Sequence, residues 1–372
     1  MMQPSFLSCP QFFPLPTPFG ALSVTTAYIN RINTVVPEHD VHEAFVAFAD
    51  ASFTERRKQL LFRRMADRSQ ISHRYAGIAS PSDFYGDDPN SVDTETRMIE
   101  FERSAPDLAV RAVDGLELGD AAAEITHLIV ITCTGFYSPG IDFEIIKRCG
   151  VSPSVERTQI GFMGCFAGIN GLKLAHHIVR SEPNAKVLVV SLELCSLHLQ
   201  RSESLETMLS FLVFGDGCAA VLVSGEEKGI AIDSFKAVMV PETPELITWR
   251  IGDIGFDMVL SGKVPGTLGR ALDERNLKEI LAGGSKDDID LWAVHPGGRS
   301  ILDAVEDGIG LGPDDLSASR HVLDNYGNMS SATILFVLAE IMKRAEEGGP
   351  TGSGCAMAFG PGLTAETMLF HI

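Results

Sequence analysis

Residues 161–179 read GFMGCFAGINGLKLAHHIV, and residues 325–342 read NYGNMSSATILFVLAEIM. Each is a tight glycine turn running into a helix, and each puts a polar group, Cys165 or Asn328, near the helix start. From Ala332 to Met342 the second segment is apolar almost all round, as expected of a helix buried on every side. Two such units suggest an internal duplication. Working outward, six runs rich in Val, Ile and Leu read as buried strands: 125–133, 186–194, 217–224, 289–295, 353–360 and 366–371. Helical stretches near 43–65, 166–179 and 331–344 alternate with them, which predicts an α/β protein with covered sheets.

The chain has 372 residues. At roughly 150 residues per domain, that means two domains or one large duplicated one. The polar, turn-forming string SGEEKG places a boundary near residues 226–229. The reading is therefore a leader over residues 1–20, a first half over 21–228 and a second over 229–372. The leader carries five prolines and no Lys or Arg, so it reads as an extended or disordered segment and not as a secretory signal. No stretch reaches 18 uncharged apolar residues, so no transmembrane helix is expected.

Three residue types carry chemistry. Cys165 stands where the N–H groups and dipole of a helix N-terminus stabilise a thiolate, the nucleophilic form suited to acyl capture. A buried, inert cysteine is the plainer reading of any single one. His295 ends a strand-like run and is followed by Pro296, Gly297 and Gly298, which let a ligand approach the backbone. Asn328 caps a helix well, and alone that is its better reading. Together, a thiol, an imidazole and an amide form the set needed for thioester capture and enolate stabilisation. Papain-type proteases use the same three types, but their local cysteine signature is absent.

A formal charge of −19 disfavours nucleic acid as a partner. Residues 56–74 nevertheless hold Arg56, Arg57, Lys58, Arg63, Arg64, Arg68 and Arg74 against Asp67 alone. That run reads either as a solvated helix face or as a patch for a small polyanion. Seven cysteines without close pairing argue against a disulfide framework and a CxxC metal site, so a reducing, cytoplasmic setting is expected. The string GIGLG at residues 308–312 is followed by Pro313, with no clear strand leading in, and is not taken as a dinucleotide loop.

The motifs GFMGCFAG, HPGGRSILDAVE, NYGNMSSA, FGDG at residues 214–217 and the terminal FGPGLTAETM occur in an order that resembles the type III polyketide synthases, the chalcone-synthase-like family. The likeness runs from about Arg63 to the C-terminus. It implies a thiolase fold of two similar α/β halves with pseudo-twofold symmetry, layered αβαβα, in a homodimer. It implies that Cys165 takes a starter acyl group from a CoA thioester. His295 and Asn328 would stabilise the enolate formed when malonyl-CoA loses CO2, and His295 would help keep Cys165 ionised. No metal or other cofactor is implied.

By the same resemblance Arg64 and Arg68 would meet the CoA phosphates, with Leu61 at a third, usually basic position, and Gly297 and Gly298 would lie near the CoA arm. Phe214 and Met258 match two gate positions. Cys133, Thr134, Cys195, His198, Trp249 and Ser330 match pocket positions, and Gly360, Pro361 and Gly362 a product-pocket loop. Cys133, Thr134, Cys195, His198 and Trp249 depart from the plant pattern, as does Ser138, which stands where plant relatives carry a Met reaching into the partner subunit. The departures resemble microbial members that make alkylresorcinols, alkylpyrones or phloroglucinol-type rings. Two other readings stay open: a ketoacyl-carrier-protein synthase III of the same fold, and a thiolase-fold protein that only binds acyl-CoA.

Overall fold

The computed structural model describes residues 25–78 and 81–372; the expected leader lies outside them. Among the described residues the strands are, in chain order, β1 (Ala27–Val35), β2 (His39–Asp40), β3 (Tyr75–Ala76), β4 (His127–Thr132), β5 (Glu156–Gly161), β6 (Lys186–Leu194) and β7 (Asp216–Ser224). They continue with β8 (Ile230–Met239), β9 (Ile247–Gly252), β10 (Gly255–Leu260), β11 (Leu291–Val294), β12 (Ser353–Gly360) and β13 (Thr364–His371).

Nine strands form one sheet in the order β11-β12-β13-β8-β1-β7-β6-β4-β5. The duplication suggested by the two turn–helix units recurs in the pairing. β4, β6, β7 and β1 are joined parallel, antiparallel, antiparallel, and β11, β12, β13 and β8 repeat that pattern. Three residue pairs between β1 and β8, Ala27 with Ile232 to Ile29 with Ile230, join the two sets.

The helices Ala167–Ser181 and Thr333–Glu346, which carry the quoted motifs, pack against each other. Gly168 permits their approach: a Cβ there would lie 2.5 Å from the Ser331 carbonyl oxygen and 2.8 Å from Ile334 Cγ2. Ile169, Leu172, Ile334, Leu335 and Leu338 are fully buried in the shared core. Burying a Leu or Ile side chain stabilises by roughly 1.5–3 kcal/mol, so this seam holds the two motifs in register.

The six expected strands are present within about two residues at each end, as hydrogen-bonded ladders fray. The expected helix over 43–65 is a correction: it is two helices, His42–Ser52 and Arg56–Ala66. Phe53 breaks it with extended backbone, turning its ring onto Phe62 at 5.6 Å. β1, β5 and β8 of the large sheet were not read from the sequence, nor were the short pair β2–β3 and the hairpin β9–β10. In β1 the polar residues that hide the apolar pattern bind backbone, Arg31 donating to the Leu116 carbonyl (2.8 Å) and Asn33 to that of Ala112 (2.9 Å). β5 is an edge strand whose residues 156–159 are exposed, so it needs no apolar run.

Candidate active site

Cys165 stands in the turn between β5 and the helix Ala167–Ser181. Gly164 has φ +81°, and a Cβ there would meet Pro361 Cδ at 2.2 Å, so only glycine lets the Pro361 loop close over the cysteine turn. The thiol donates to Ser330 Oγ at 3.8 Å. Burial pushes the thiol up to about 11; the Ser330 and Asn328 side chains act against that, while the charge of Glu193 adds to it.

Asn328 is fixed from both sides of its backbone. Its N–H donates to the Val213 carbonyl (2.8 Å), and its own carbonyl accepts from Gly215 N–H (2.9 Å). Its side-chain oxygen accepts from Ser330 N–H (2.8 Å), a capping-type bond, while Nδ2 donates to the Gly297 carbonyl (3.4 Å). Capping and a role at the site are therefore compatible.

His295 follows β11, is 1 % exposed, and donates its backbone N–H to the Met357 carbonyl (2.8 Å). Neither ring nitrogen has a hydrogen-bond partner among the described residues, and burial pushes the imidazole down to about 3. Burial thus works against the charged form of each group, raising the thiol and lowering the imidazole.

A cavity of about 30 Å³ opens at Cys165. Of the expected pocket and gate residues, Cys133, Thr134, Cys195, Phe214, Trp249, Met258 and Ser330 line it, joined by Pro361, Phe211 and Ile247. Trp249 and Met258 face each other across the β9–β10 hairpin, and the indole N–H donates to the Cys133 carbonyl at 2.7 Å. His198 stands one layer behind, stacked on Phe256 with ring centroids 4.1 Å apart. Its Nδ1 accepts from Phe256 N–H (3.1 Å) and its Nε2 binds the Thr134 carbonyl (2.8 Å), which fixes a neutral tautomer. Gly360 and Gly362 flank Pro361, the former closely packed on Phe166.

Sequence reasoning missed Glu193. Its carboxylate is fully buried and accepts from Cys133 N–H (2.9 Å), Thr134 Oγ1 (2.8 Å) and the Ser331 hydroxyl, and burial pushes it up to about 7. The available signal was an acid near the end of the mainly apolar strand KVLVVSLEL.

Arg64 and Arg68 are exposed, and Arg299, at the start of the helix after Gly298, donates to the Arg68 carbonyl at 3.2 Å. The expected CoA residues from the two halves are thus neighbours. Arg63 is spent on Asp50 (2.6 Å). Arg74 must be removed from the basic patch: it is 2 % exposed and donates to the carbonyls of Phe211 (3.0 Å) and Phe214 (2.6 Å) and to His42 Nδ1 (3.0 Å). Among the described residues, no group of three His, Cys, Asp or Glu side chains has metal-binding geometry, and no helix is long and apolar enough to cross a membrane.

Comparison with known proteins defines the class. Residues 21–227 match the pattern of the chalcone and stilbene synthases, N-terminal domain, and residues 231–372 that of the C-terminal domain. The chain belongs to this family and is a type III polyketide synthase, an acyl-transferring condensing enzyme with the thiolase-like α/β fold. It is 35% identical over 335 residues to bisdemethoxycurcumin synthase of Oryza sativa subsp. japonica, covering 83% of this chain and 82% of the relative. It is 31% identical over 363 residues to the alpha-pyrone synthesis polyketide synthase-like Pks18 of Mycobacterium tuberculosis, covering 94% and 92%. PKS-I from the brown alga Ectocarpus siliculosus superposes with a TM-score of 0.84 at 29% identity, over 95% of this chain and 100% of that one. The type III domain of Steely1 from Dictyostelium shares the fold at 24% identity and a TM-score of 0.82, over 93% and 99%. Members of this family use acyl-CoA and malonyl-CoA substrates.

Proposed function

We propose that this synthase loads a starter acyl group from CoA onto Cys165, extends it with malonyl-CoA and cyclises the product. The observation that carries this reading is the imidazole of His295, buried without a hydrogen-bond partner among the described residues beside the loop that Asn328 touches. An unmet buried polar group costs about 1–3 kcal/mol, which is reasonable where a substrate carbonyl supplies the missing bond.

In this reading His295 takes the Cys165 proton as the sulfur attacks the starter carbonyl, then passes it to the CoA sulfur as the C–S bond to CoA breaks, so that CoA leaves as the thiol. His295 and Asn328 Nδ2 then bind the thioester oxygen of malonyl-CoA. The C–C bond to the carboxylate breaks, CO2 departs, and the electron pair is held as an enolate. The enolate carbon attacks the Cys165-bound acyl group and expels the thiolate. The chemistry is redox-neutral and calls for no cofactor beyond the CoA thioesters, whose phosphates would lie at Arg64 and Arg68 with Gly297 and Gly298 along the arm.

Trp249 and His198 reshape the cavity in a way that favours alkylresorcinol, alkylpyrone or phloroglucinol-type products, and the pyrone-forming relative supports that choice. A homodimer is proposed at the free edge of β5, which Phe136, Phe143 and Met163 flank with 36, 48 and 41% exposure. The six described cysteines are all free, which suits a cytoplasmic setting.

The test is incubation with malonyl-CoA and short, long and aromatic acyl-CoA starters, with products read by mass spectrometry and Cys165→Ala as control. Cyclised products that vanish in the variant support the reading. Condensation only with malonyl-carrier protein overturns it.

A further inference from the structure

The helix Arg56–Ala66 has two unlike sides. Phe62 and Ala66 are buried and share a small core with Phe53, Met208 and Phe211. At 3.6 residues per turn, the opposite side carries Leu60, Arg64, Arg57, Leu61 and Met65 from one edge to the other, and Arg68 continues it just past the helix end. All six are exposed, Leu60, Leu61 and Met65 by 53, 43 and 42%.

Folding leaves this face without partners. The cations at its margins are used within the chain: Arg63 on Asp50 (2.6 Å), Lys58 on Glu55 (3.0 Å) and Arg56 on Gln59 (3.3 Å). The guanidinium groups of Arg57, Arg64 and Arg68 have no hydrogen bond, ion pair or ring contact among the described residues. Three unpaired cations thus run down the middle of the face, with large apolar side chains on both flanks, on a chain of formal charge −19. CoA phosphates would account for Arg64 and Arg68, but a soluble nucleotide gains nothing from Leu60, Leu61 and Met65.

We propose that this face docks the enzyme on an anionic phospholipid bilayer. It is the convex outer side of a single helix, and a bilayer, being deformable, moulds itself to a convex surface. The three guanidinium groups meet the lipid phosphates. Leu60, Leu61 and Met65 enter the boundary between headgroups and acyl chains. The acidic remainder of the chain is repelled by the same surface, which selects this one orientation. Arg299, bonded to the Arg68 carbonyl at 3.2 Å, sets Gly297 and Gly298 beside the docked face, so the expected CoA entrance opens at the lipid surface.

The test is sedimentation of the full chain with vesicles of phosphatidylcholine, pure or with one third phosphatidylserine. Binding to the mixed vesicles is expected to be about a hundredfold tighter, at about fivefold for each arginine near an anionic surface. Leu60→Ser with Met65→Ser should weaken it about tenfold or more, while Leu60→Phe should keep it. Both positions are exposed, so melting temperatures should match wild type. Equal binding to the two kinds of vesicle, no binding to either, or binding untouched by the serine pair overturns the proposal. Capture of an acidic carrier protein with no affinity for vesicles overturns it too and assigns the face to a protein.

Discussion

Phe214 and Asn328 form a two-residue parallel bridge outside any strand: Asn328 bonds to the residues on either side of Phe214. The proposed gate aromatic and the amide of the proposed oxyanion site therefore share one backbone clamp. Asn328→Ala keeps that clamp and removes the side chain. Malonyl-CoA decarboxylation, measured as CO2 release, is expected to fall about 10²–10³-fold, as for loss of one oxyanion donor. The Ser330 N–H also loses its acceptor, which should cost about 1–3 kcal/mol in urea unfolding. Unchanged CO2 release in a folded variant would remove Asn328 from the mechanism.

Alkylation reads the protonation state of Cys165. With the thiol pushed up to about 11 by burial, iodoacetamide labelling of the free enzyme should climb about tenfold per pH unit through the neutral and mildly alkaline range. A plateau already reached near pH 7 would mean that a thiolate–imidazolium pair exists before substrate binds.

Acid should destabilise the fold through its histidines. Burial pushes His295 and His198 down to about 3, and His42 and His176 down to about 4. Each is neutral when folded and takes up a proton on unfolding below about pH 6.5, so the unfolded chain binds more protons. Their contribution is complete above about pH 6.5 and is lost as pH falls toward 4 and 3. Glu193, pushed up to about 7, works the other way between its ordinary value and 7, as does Asp216, pushed up to about 6. Four groups outweigh two, and melting temperatures from pH 7 to pH 4 should fall; a rise would contradict the assignment.

Arg64→Glu and Arg68→Glu should raise KM for CoA thioesters about tenfold or more, the loss of one hydrogen bond to a charged group, with kcat little changed. Added salt should narrow the gap from wild type, since both residues are exposed. An equal fall in kcat at unchanged KM would place the CoA phosphates elsewhere.

Much of the site was legible because its chemistry sits in short, local strings. Gly164 with Cys165, and Gly297 with His295, announce turns that residue type alone dictates. What was not legible depends on partners distant in the chain. Arg74 reads as one more cation in a basic run until the carbonyls of Phe211 and Phe214, more than a hundred residues away, take it inside. The break at Phe53 is set by the ring of Phe62 and not by a proline or glycine. The charge state of Cys165 turns on how completely its neighbours exclude water, which no spacing encodes.

β1 has one consequence for how the enzyme turns over. It is hydrogen-bonded to β7 on one side and β8 on the other, so the half that carries Cys165 and the half that carries His295 and Asn328 share one unbroken sheet. A hinge between the halves would have to tear that seam, so the two sides of the site keep a constant separation through the cycle. Successive condensations on a lengthening chain then meet the same rigid jaws, and room for each added unit must come from single side chains stepping aside.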